Sequence, residues 1–399
     1  MKKTIAGMKE NFFQDRNFSL LLLAGIFIGI ASGINVTIFN NYLSDTYHLT
    51  AQARGIVEFP RELPGVFIVV VIGLLAALGN VRIAAIGTLA AALGMMGLGL
   101  FSPSFGVMLM WMMLFSLGTH ILLPMIPVIG MGLSQRGEYG ARLGRYGAYN
   151  LSATIFGYAV VWLGFKYLHL TYQGAFVIGA IFFVLAAFAF QNMQRKKAEV
   201  KKQPKFVFRK EYRLYYILSI VNGARKQVFL TFAPWVLVQF FHVDPPVFAV
   251  LGVVVAFVSI LTRTLVGRAI DYKGEKFILT VEASIVIVIC LGYAFASKLF
   301  APAVALIITA VCYVIDNSMS VVEMARSTYL RKIALSSEEV APTLAAGTSF
   351  DHIVAMTIPF FGGLLWMKFG YEYVFFVAAA IGLLNLILAQ QVVTRALQD

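Results

Sequence analysis

Long apolar blocks recur along the whole sequence, and they limit the possible folds more than any other feature. Each block has about 20 residues or more, the length that a helix rising ~1.5 Å per residue needs to cross the hydrocarbon of a bilayer. Of the 399 residues 60% are hydrophobic and only 13% are charged, whereas soluble domains are roughly a quarter charged. The blocks also lack the alternation of polar and apolar residues found in β-barrel strands. The sequence therefore predicts an all-α membrane protein and excludes a soluble enzyme.

The apolar blocks predict twelve transmembrane helices, and an even number places both termini on one side of the membrane. The predicted spans are 17–43, 54–78, 82–102, 105–134, 141–167, 172–192, 213–241, 246–268, 275–299, 302–331, 340–367 and 370–394. A basic linker at 193–212 separates the sixth span from the seventh. We therefore expect a six-helix bundle in residues 1–192 and a second in residues 213–399.

The positions of the basic residues predict the orientation. Most of the 32 Lys and Arg residues fall in the segments on the side of the termini and the linker. Basic residues in short loops are retained on the cytoplasmic face. The net charge of +13 is therefore interpreted as topology rather than nucleic-acid binding. We expect a multi-pass protein of the cytoplasmic (inner) membrane, with both termini and the linker cytoplasmic.

A short motif follows the eighth predicted span. It reads Gly267-Arg268-Ala269-Ile270-Asp271-Tyr272-Lys273-Gly274-Glu275-Lys276. The motif resembles the loop signature of the major facilitator superfamily, Gly-x-x-x-Asp-Arg-x-Gly-Arg-Arg, with matches at Gly267, Asp271, Gly274 and Lys276. The resemblance implies the fold of that family and a secondary transporter that works by alternating access. It also implies a gating role for these four residues and Arg268, with Asp271 as part of a latch for the outward-facing state.

Two departures from the family pattern affect the functional interpretation. In the matching position of the first half, after Gly73, Ala77 replaces the acid, so that half lacks the same latch. The fifth span has no proline and therefore lacks the Gly-Pro motif typical of drug/proton exchangers of the family. The missing motif makes drug efflux a less favoured function, and efflux is kept as the alternative.

Ionisable residues inside predicted spans are the main candidates for the site. An ionisable group in hydrocarbon costs ~2.5–3.5 kcal/mol or more, so it usually faces a partner or a wet cavity. Those near mid-span are Arg225, Lys226, Asp316, Asp351, His352 and His120. One interpretation is a set of ion pairs that hold the C-terminal bundle together. The other is that one base binds an acidic part of the substrate while a carboxylate, Asp351 in preference to Asp316, exchanges a proton.

Other candidates carry weaker signals. On the second span, Glu58, Arg61 and Glu62 share one face of the helix. They are candidates for an outer gate, a self-neutralised cluster or a substrate site. Glu62 is also the next proton-coupling candidate. His120 is a proton relay or a hydrogen-bonded packing residue, and His352 is a relay or ligand. The substrate-binding candidates are Arg225, Lys226, Gln227, Asn222, Asn35, His120 and Tyr149.

The sequence as a whole predicts a proton-coupled secondary transporter of a small organic anion or zwitterion. Arg225, Lys226 and Gln227 supply donors for a carboxylate or phosphate. The alternative is proton-driven efflux of amphipathic drugs or toxic compounds. No nucleophile elbow, metal-ligand motif or phosphate-binding loop is present, so we expect no enzyme activity, metal or cofactor. The expected partners are the substrate, a coupling proton or ion and the lipid bilayer, and we expect a monomer.

Overall fold

The computed structural model describes residues 16–133, 139–193 and 208–393, and this part of the chain is helical nearly throughout. Most of the predicted linker, 194–207, lies outside the described residues. The helices are α1 Arg16–Tyr47, α2 Ala51–Leu75, α3 Asn80–Leu100, α4 Phe105–Leu133, α5 Tyr139–Tyr167, α6 Tyr172–Gln191, α7 Arg213–Gln239, α8 Pro245–Leu299, α9 Pro302–Ser318, α10 Glu323–Ile333, α11 Ser337–Phe369 and α12 Tyr371–Gln390.

Ten helical segments of the described residues are long and apolar enough to cross a membrane. The predicted all-α membrane class is therefore confirmed, whereas the number of twelve spans and the two six-helix bundles stay predictions. Helix α7 has 27 residues but is not among the ten, since a polar block in its middle lowers its mean hydropathy. Helix α8 counts as one segment of 55 residues, although two separate spans are predicted there.

The direction of α8 changes at one glycine. Gly274 has φ 78° and ψ 172°, so two helical stretches meet there without an intervening loop. Glycine adopts this left-handed φ without the steric cost that a Cβ atom brings. The second glycine of the loop motif thus makes the turn between the eighth and ninth predicted spans.

The tenth predicted span is not one regular helix. Helix α9 ends at Ser318, the chain continues as a 3₁₀ turn over Met319–Val322, and α10 begins at Glu323. The predicted span 302–331 corresponds to one apolar segment, Pro302–Ile333, which contains this turn. No proline or glycine marks the break, so local sequence rules do not reveal it.

The chain divides into two compact units. The first takes in the described residues of Met1–Tyr42, Leu63–Lys201 and Pro245–Val250. In it, α3 packs against α4 and α6. A Cβ at Gly29 would lie 2.4 Å from the Asn150 carbonyl oxygen, so glycine permits close packing of α1 on α5.

The second unit takes in the described residues of Leu43–Glu62, Lys202–Asp244 and Leu251–Asp399. These units differ from the predicted bundles in residues 43–62 and 245–250, and the predicted division stays a prediction. Helix α7 is the central element, because α9, α10, α11 and α12 all pack against it. One apolar cluster includes Val221 on α7 and another begins at Val228. The polar block between these two positions is therefore enclosed by apolar packing along the helix.

Candidate functional site

A cavity of about 430 Å³ lies within the second unit. Its volume falls in the range of small-molecule sites. Its walls come from α7, α9, the 3₁₀ turn, α10 and α11. The lining residues are Tyr215, Ser219, Asn222, Arg225, Lys226, Leu230, Asp316, Asn317, Met319, Ser320, Glu323, Arg326, Ser327, Leu344, Gly347, Thr348 and Asp351. Five predicted site residues thus come together here: Asn222, Arg225, Lys226, Asp316 and Asp351.

Lys226 and Asp351 form an ion pair on the cavity wall, here called the cavity pair. Lys226 Nζ lies 2.6 Å from Asp351 Oδ2. The side chains are 45% and 25% exposed, so both are accessible from the cavity. Gly223 makes room for the carboxylate, because a Cβ there would lie 2.3 Å from Asp351 Oδ1.

Arg225, the neighbour of Lys226, belongs to a second group that is almost completely buried. Arg225 Nη1 donates to Asp316 Oδ1 at 2.5 Å, and Nη2 lies 3.4 Å from Glu282 Oε1. Glu282 Oε2 accepts from Arg326 Nη1 at 3.2 Å. We call Asp316, Arg225, Glu282 and Arg326 the buried network. It alternates acid and base and carries no net charge when all four groups are ionised.

Glu282 is a member of the network that the sequence interpretation missed. It lies inside the predicted span 275–299, and its side chain is 1% exposed. The criterion that selected Asp316, an ionisable residue within an apolar block, applies equally to Glu282. Its partners Arg225 and Arg326 lie 57 and 44 residues away, so only the tertiary structure identifies the pairing.

A third ionic group surrounds Glu58, which is fully buried. Glu58 pairs with Arg54 one helical turn earlier and with Arg61 at 2.6 Å. Gln227 Nε2 also donates to Glu58 Oε2, at 3.0 Å. Gln227 therefore binds a buried carboxylate and does not line the cavity. Arg61 Nη2 also lies 3.2 Å from Glu62 Oε1, so the cluster contains two bases and two acids. The gating role of Glu58 and Arg61 stays a prediction.

Two further predicted residues meet outside the cavity lining. His352 Nδ1 lies 3.0 Å from Glu62 Oε2, and both side chains are mostly buried. The pair brings two proton-coupling candidates together. Their role in coupling stays a prediction.

The remaining substrate-binding candidates belong to the first unit and do not line this cavity. Tyr149 is 43% exposed, whereas the Asn35 Oδ1 atom is buried and has no hydrogen bond to any described residue. His120 Nδ1 lies 2.8 Å from the carbonyl oxygen of Ser116, one turn earlier on α4. This contact matches the packing interpretation of His120, and the roles of all three residues stay predictions.

The loop motif contains a buried carboxylate, but it is Glu275 rather than Asp271. Glu275 is fully buried and its Oε1 lies 2.9 Å from Lys332 Nζ. Asp271 is exposed and has no ion pair within residues 16–133, 139–193 and 208–393. Gly267, Arg268 and Lys276 are not buried. The latch function of the motif therefore stays a prediction.

The family model of the Major Facilitator Superfamily matches residues 21–338, which is most of the chain. The chain belongs to the Major Facilitator Superfamily. It is thus a multi-pass membrane transporter rather than an enzyme, and the cavity lies in the unit that contains the family's loop motif. No protein of curated function matches the sequence.

Solved structures of transporters share the fold. A mutant form of the nucleoside transporter NupG superposes with a TM-score of 0.76 at 15% identity, covering 94% of this chain and 99% of that one. A bacterial homologue of the iron transporter ferroportin, in an inward-facing state, gives 0.76 at 13% identity, with 95% and 99% covered. A D-xylose-proton symporter gives 0.69 at 14% identity, with 95% and 97% covered. At these identities the likeness concerns the fold alone.

Proposed function

We propose that this transporter is proton-coupled and moves a small organic anion or zwitterion across the cytoplasmic membrane by alternating access. The observation that carries the proposal is the cavity pair. Lys226 and Asp351 are charged, accessible from the cavity and held by one contact of 2.6 Å. An accessible ion pair can exchange one partner for a ligand of the same charge, which a buried pair cannot do without leaving a charge unpaired.

The exchange supplies a coupling mechanism. A substrate carboxylate replaces Asp351 on the ammonium group of Lys226. The carboxylate of Asp351 then lacks its cation, which favours its neutral form, and it takes up a proton. One substrate carboxylate and one proton thus enter together, so the charge of the site does not change. Release reverses both steps on the other side of the membrane.

Arg225 has a different role in this proposal. Its side chain is 6% exposed and is fixed by Asp316, Glu282 and the Asn222 amide oxygen. Adjacent residues of a helix point ~100° apart. Arg225 therefore holds α7 against α8 and α9 while Lys226 faces the cavity. This assigns substrate contact to Lys226 and leaves Asp316 as a structural partner.

The alternative, proton-driven efflux of amphipathic compounds, receives less support from the cavity wall. A site for such compounds is lined mainly by apolar and aromatic side chains. Leu230, Met319, Leu344 and Tyr215 are the large apolar or aromatic side chains in this lining, and most of the others are polar or charged. A polar solute is thus the better fit.

The test begins with purified protein. A thermal-shift screen of metabolites and drugs at two pH values identifies a ligand. Its uptake into liposomes that contain the protein is then measured. We expect Asp351→Asn to retain exchange of this solute at equal pH and to lose accumulation driven by a pH gradient. The reason is that an amide still forms hydrogen bonds but carries no exchangeable acid proton.

A matched control is Glu372→Gln, which alters another lysine-bound carboxylate. Glu372 Oε1 lies 3.4 Å from Lys298 Nζ, and Glu372 does not line the cavity. This variant should accumulate solute as the wild type does. If Asp351→Asn also accumulates solute in response to the pH gradient, Asp351 is not the proton carrier.

A further inference from the structure

Glu323 lines the cavity and has one carboxylate oxygen that is not used by the protein. Its Oε2 atom accepts from Arg326 Nε at 3.1 Å and from Nη2 at 2.7 Å. Its Oε1 atom has no hydrogen bond within the described part of the chain, and the side chain is 58% exposed. One oxygen is thus fixed to the protein and the other remains available to a ligand in the cavity.

The fold fixes the position of this carboxylate and favours its charged form. Glu323 is the first residue of α10, and a negative charge is stabilised at a helix N-terminus. Arg326 holds it with two donors and is itself 3% exposed and bound to Glu282. The 3₁₀ turn before Glu323 supplies Met319 and Ser320 to the same cavity wall. The open oxygen is therefore preorganised by the buried network.

The accessible charges of the cavity do not suit a simple anion. Of its six charged lining residues, Arg225, Asp316 and Arg326 are at least nine-tenths buried and paired. The accessible groups are Lys226, Asp351 and Glu323, which are one base and two acids. Arg326 pairs with Glu323 but also with Glu282, and Arg225 is shared in the same way, so two buried bases serve three acids. When a substrate carboxylate takes Lys226 and Asp351 takes a proton, one negative charge is therefore in excess. A cationic group on the same substrate compensates this charge.

We propose that Glu323 is an ammonium subsite and that the substrate is a zwitterion, with its carboxylate on Lys226 and its ammonium group on Glu323. An ammonium group has three donors. Glu323 Oε1 accepts one, and the hydroxyl groups of Ser320 and Ser327, which also line the cavity, are acceptors for the others. The inference rests on the proposed exchange at the cavity pair and adds the second half of the recognition.

The experiment compares molecules that share a skeleton and differ in charge. Each set holds an amino acid, its matched acid and its matched amine. The first set is leucine, 4-methylpentanoate and 3-methylbutylamine, and the second is phenylalanine, 3-phenylpropanoate and 2-phenylethylamine. The third is glycine, acetate and methylamine. Binding to purified protein is measured by calorimetry, and uptake by flux into liposomes. We expect at least one amino acid to bind about tenfold or more tightly than its matched acid and its matched amine, since a charge-assisted hydrogen bond is about that strong.

Glu323→Gln should remove the preference for the amino acid over the matched acid, while the acid itself binds at least as tightly as before because an uncompensated negative charge is gone. Glu339→Gln is the matched control, because Glu339 also lies in the first turn of a helix and accepts two donors from one arginine. This control should keep the preference. Glu323→Asp retains the charge and should keep the preference with weaker binding, which separates the subsite from a loss of folding in the amide variant.

Three results would overturn the inference. If an acid binds as tightly as its amino acid and Glu323→Gln changes neither, the ammonium subsite does not exist, but the proposed transport of anions stands. If a matched amine binds as tightly as its amino acid, one positive charge is enough for recognition and efflux of cationic compounds is favoured. If the wild type neither binds nor moves any probe, the proposed function fails, and the subsite fails with it.

Discussion

Arg225 and Lys226 are neighbours on α7 but lie in two ionic regions of opposite character. The buried network around Arg225 connects four helices and excludes solvent, whereas the cavity pair of Lys226 is partly open. Both regions contain a base bound to a carboxylate at about the same distance. The two regions thus differ in burial and not in contact distance, and the proposed function assigns the buried network to the fold and the cavity pair to partner exchange.

The energetic difference between the regions is large. Removal of one partner from a buried ion pair costs ~3–5 kcal/mol, because the remaining charge stays buried without compensation. The loss of an exposed ion pair costs about 0–1 kcal/mol. Substitutions in the buried network should thus act on stability, and substitutions in the cavity pair should act on ligand binding.

The largest expected effect is the loss of Arg225. Among the described residues, Arg225→Ala leaves Asp316 with no base and Glu282 with Arg326 alone. We expect a destabilisation of ~3–5 kcal/mol. Lys226→Ala should cost no more than ~1 kcal/mol and still abolish binding of the ligand found in the screen. Unfolding of both variants in detergent, followed by circular dichroism, measures the difference. Equal destabilisation by the two substitutions would contradict the division into two regions.

An intermediate effect is expected from Gly223→Ala, which probes the cavity pair without removing a charge. The added Cβ would lie 2.3 Å from Asp351 Oδ1, so the carboxylate must move away from Lys226. The displaced atom is the end of a partly exposed side chain, so we expect little loss of stability but weaker solute accumulation. The control is Gly106→Ala, because a Cβ there has nothing within 4 Å. Normal accumulation by Gly223→Ala would show that the precise position of Asp351 is unimportant.

The smallest expected effect concerns an ion pair outside both regions and before the apolar span of α11. Arg209 Nε lies 2.9 Å from Glu339 Oε2, and Tyr212 also donates to this carboxylate. Hydrogen bonds from Arg209 and then Tyr212 hold the pKa of Glu339 below its ordinary value. The stabilisation is therefore complete above the ordinary Glu pKa of about 4.3 and is lost as the pH falls through the lowered pKa.

Glu339→Gln should lower the Tm slightly at pH 7, and this difference should shrink as the pH falls below the ordinary range of glutamate. Thermal unfolding of both proteins across this range provides the measurement. A difference that grows on acidification would have the wrong sign for a carboxylate with a lowered pKa. Unchanged ligand binding at pH 7 would separate this contact from the cavity.

The membrane class and most of the helices follow from the amino-acid sequence. Length and hydropathy decide these features, because backbone groups in lipid must form their hydrogen bonds within a helix or a closed barrel. The candidates Asn222, Arg225, Lys226 and Gln227 in the polar block of α7 could be named from the sequence, but their partners could not.

The position of each of these side chains follows from the packing of helices that are distant in the sequence. The partners of Lys226, Arg225 and Gln227 lie 125, 91 and 169 residues away along the chain. Helical periodicity places neighbouring side chains on different faces but does not say which face meets a cavity and which is buried. That choice depends on the packing of α8 to α11 around α7. It places Arg225 in the buried network, Lys226 on the cavity wall and Gln227 on Glu58.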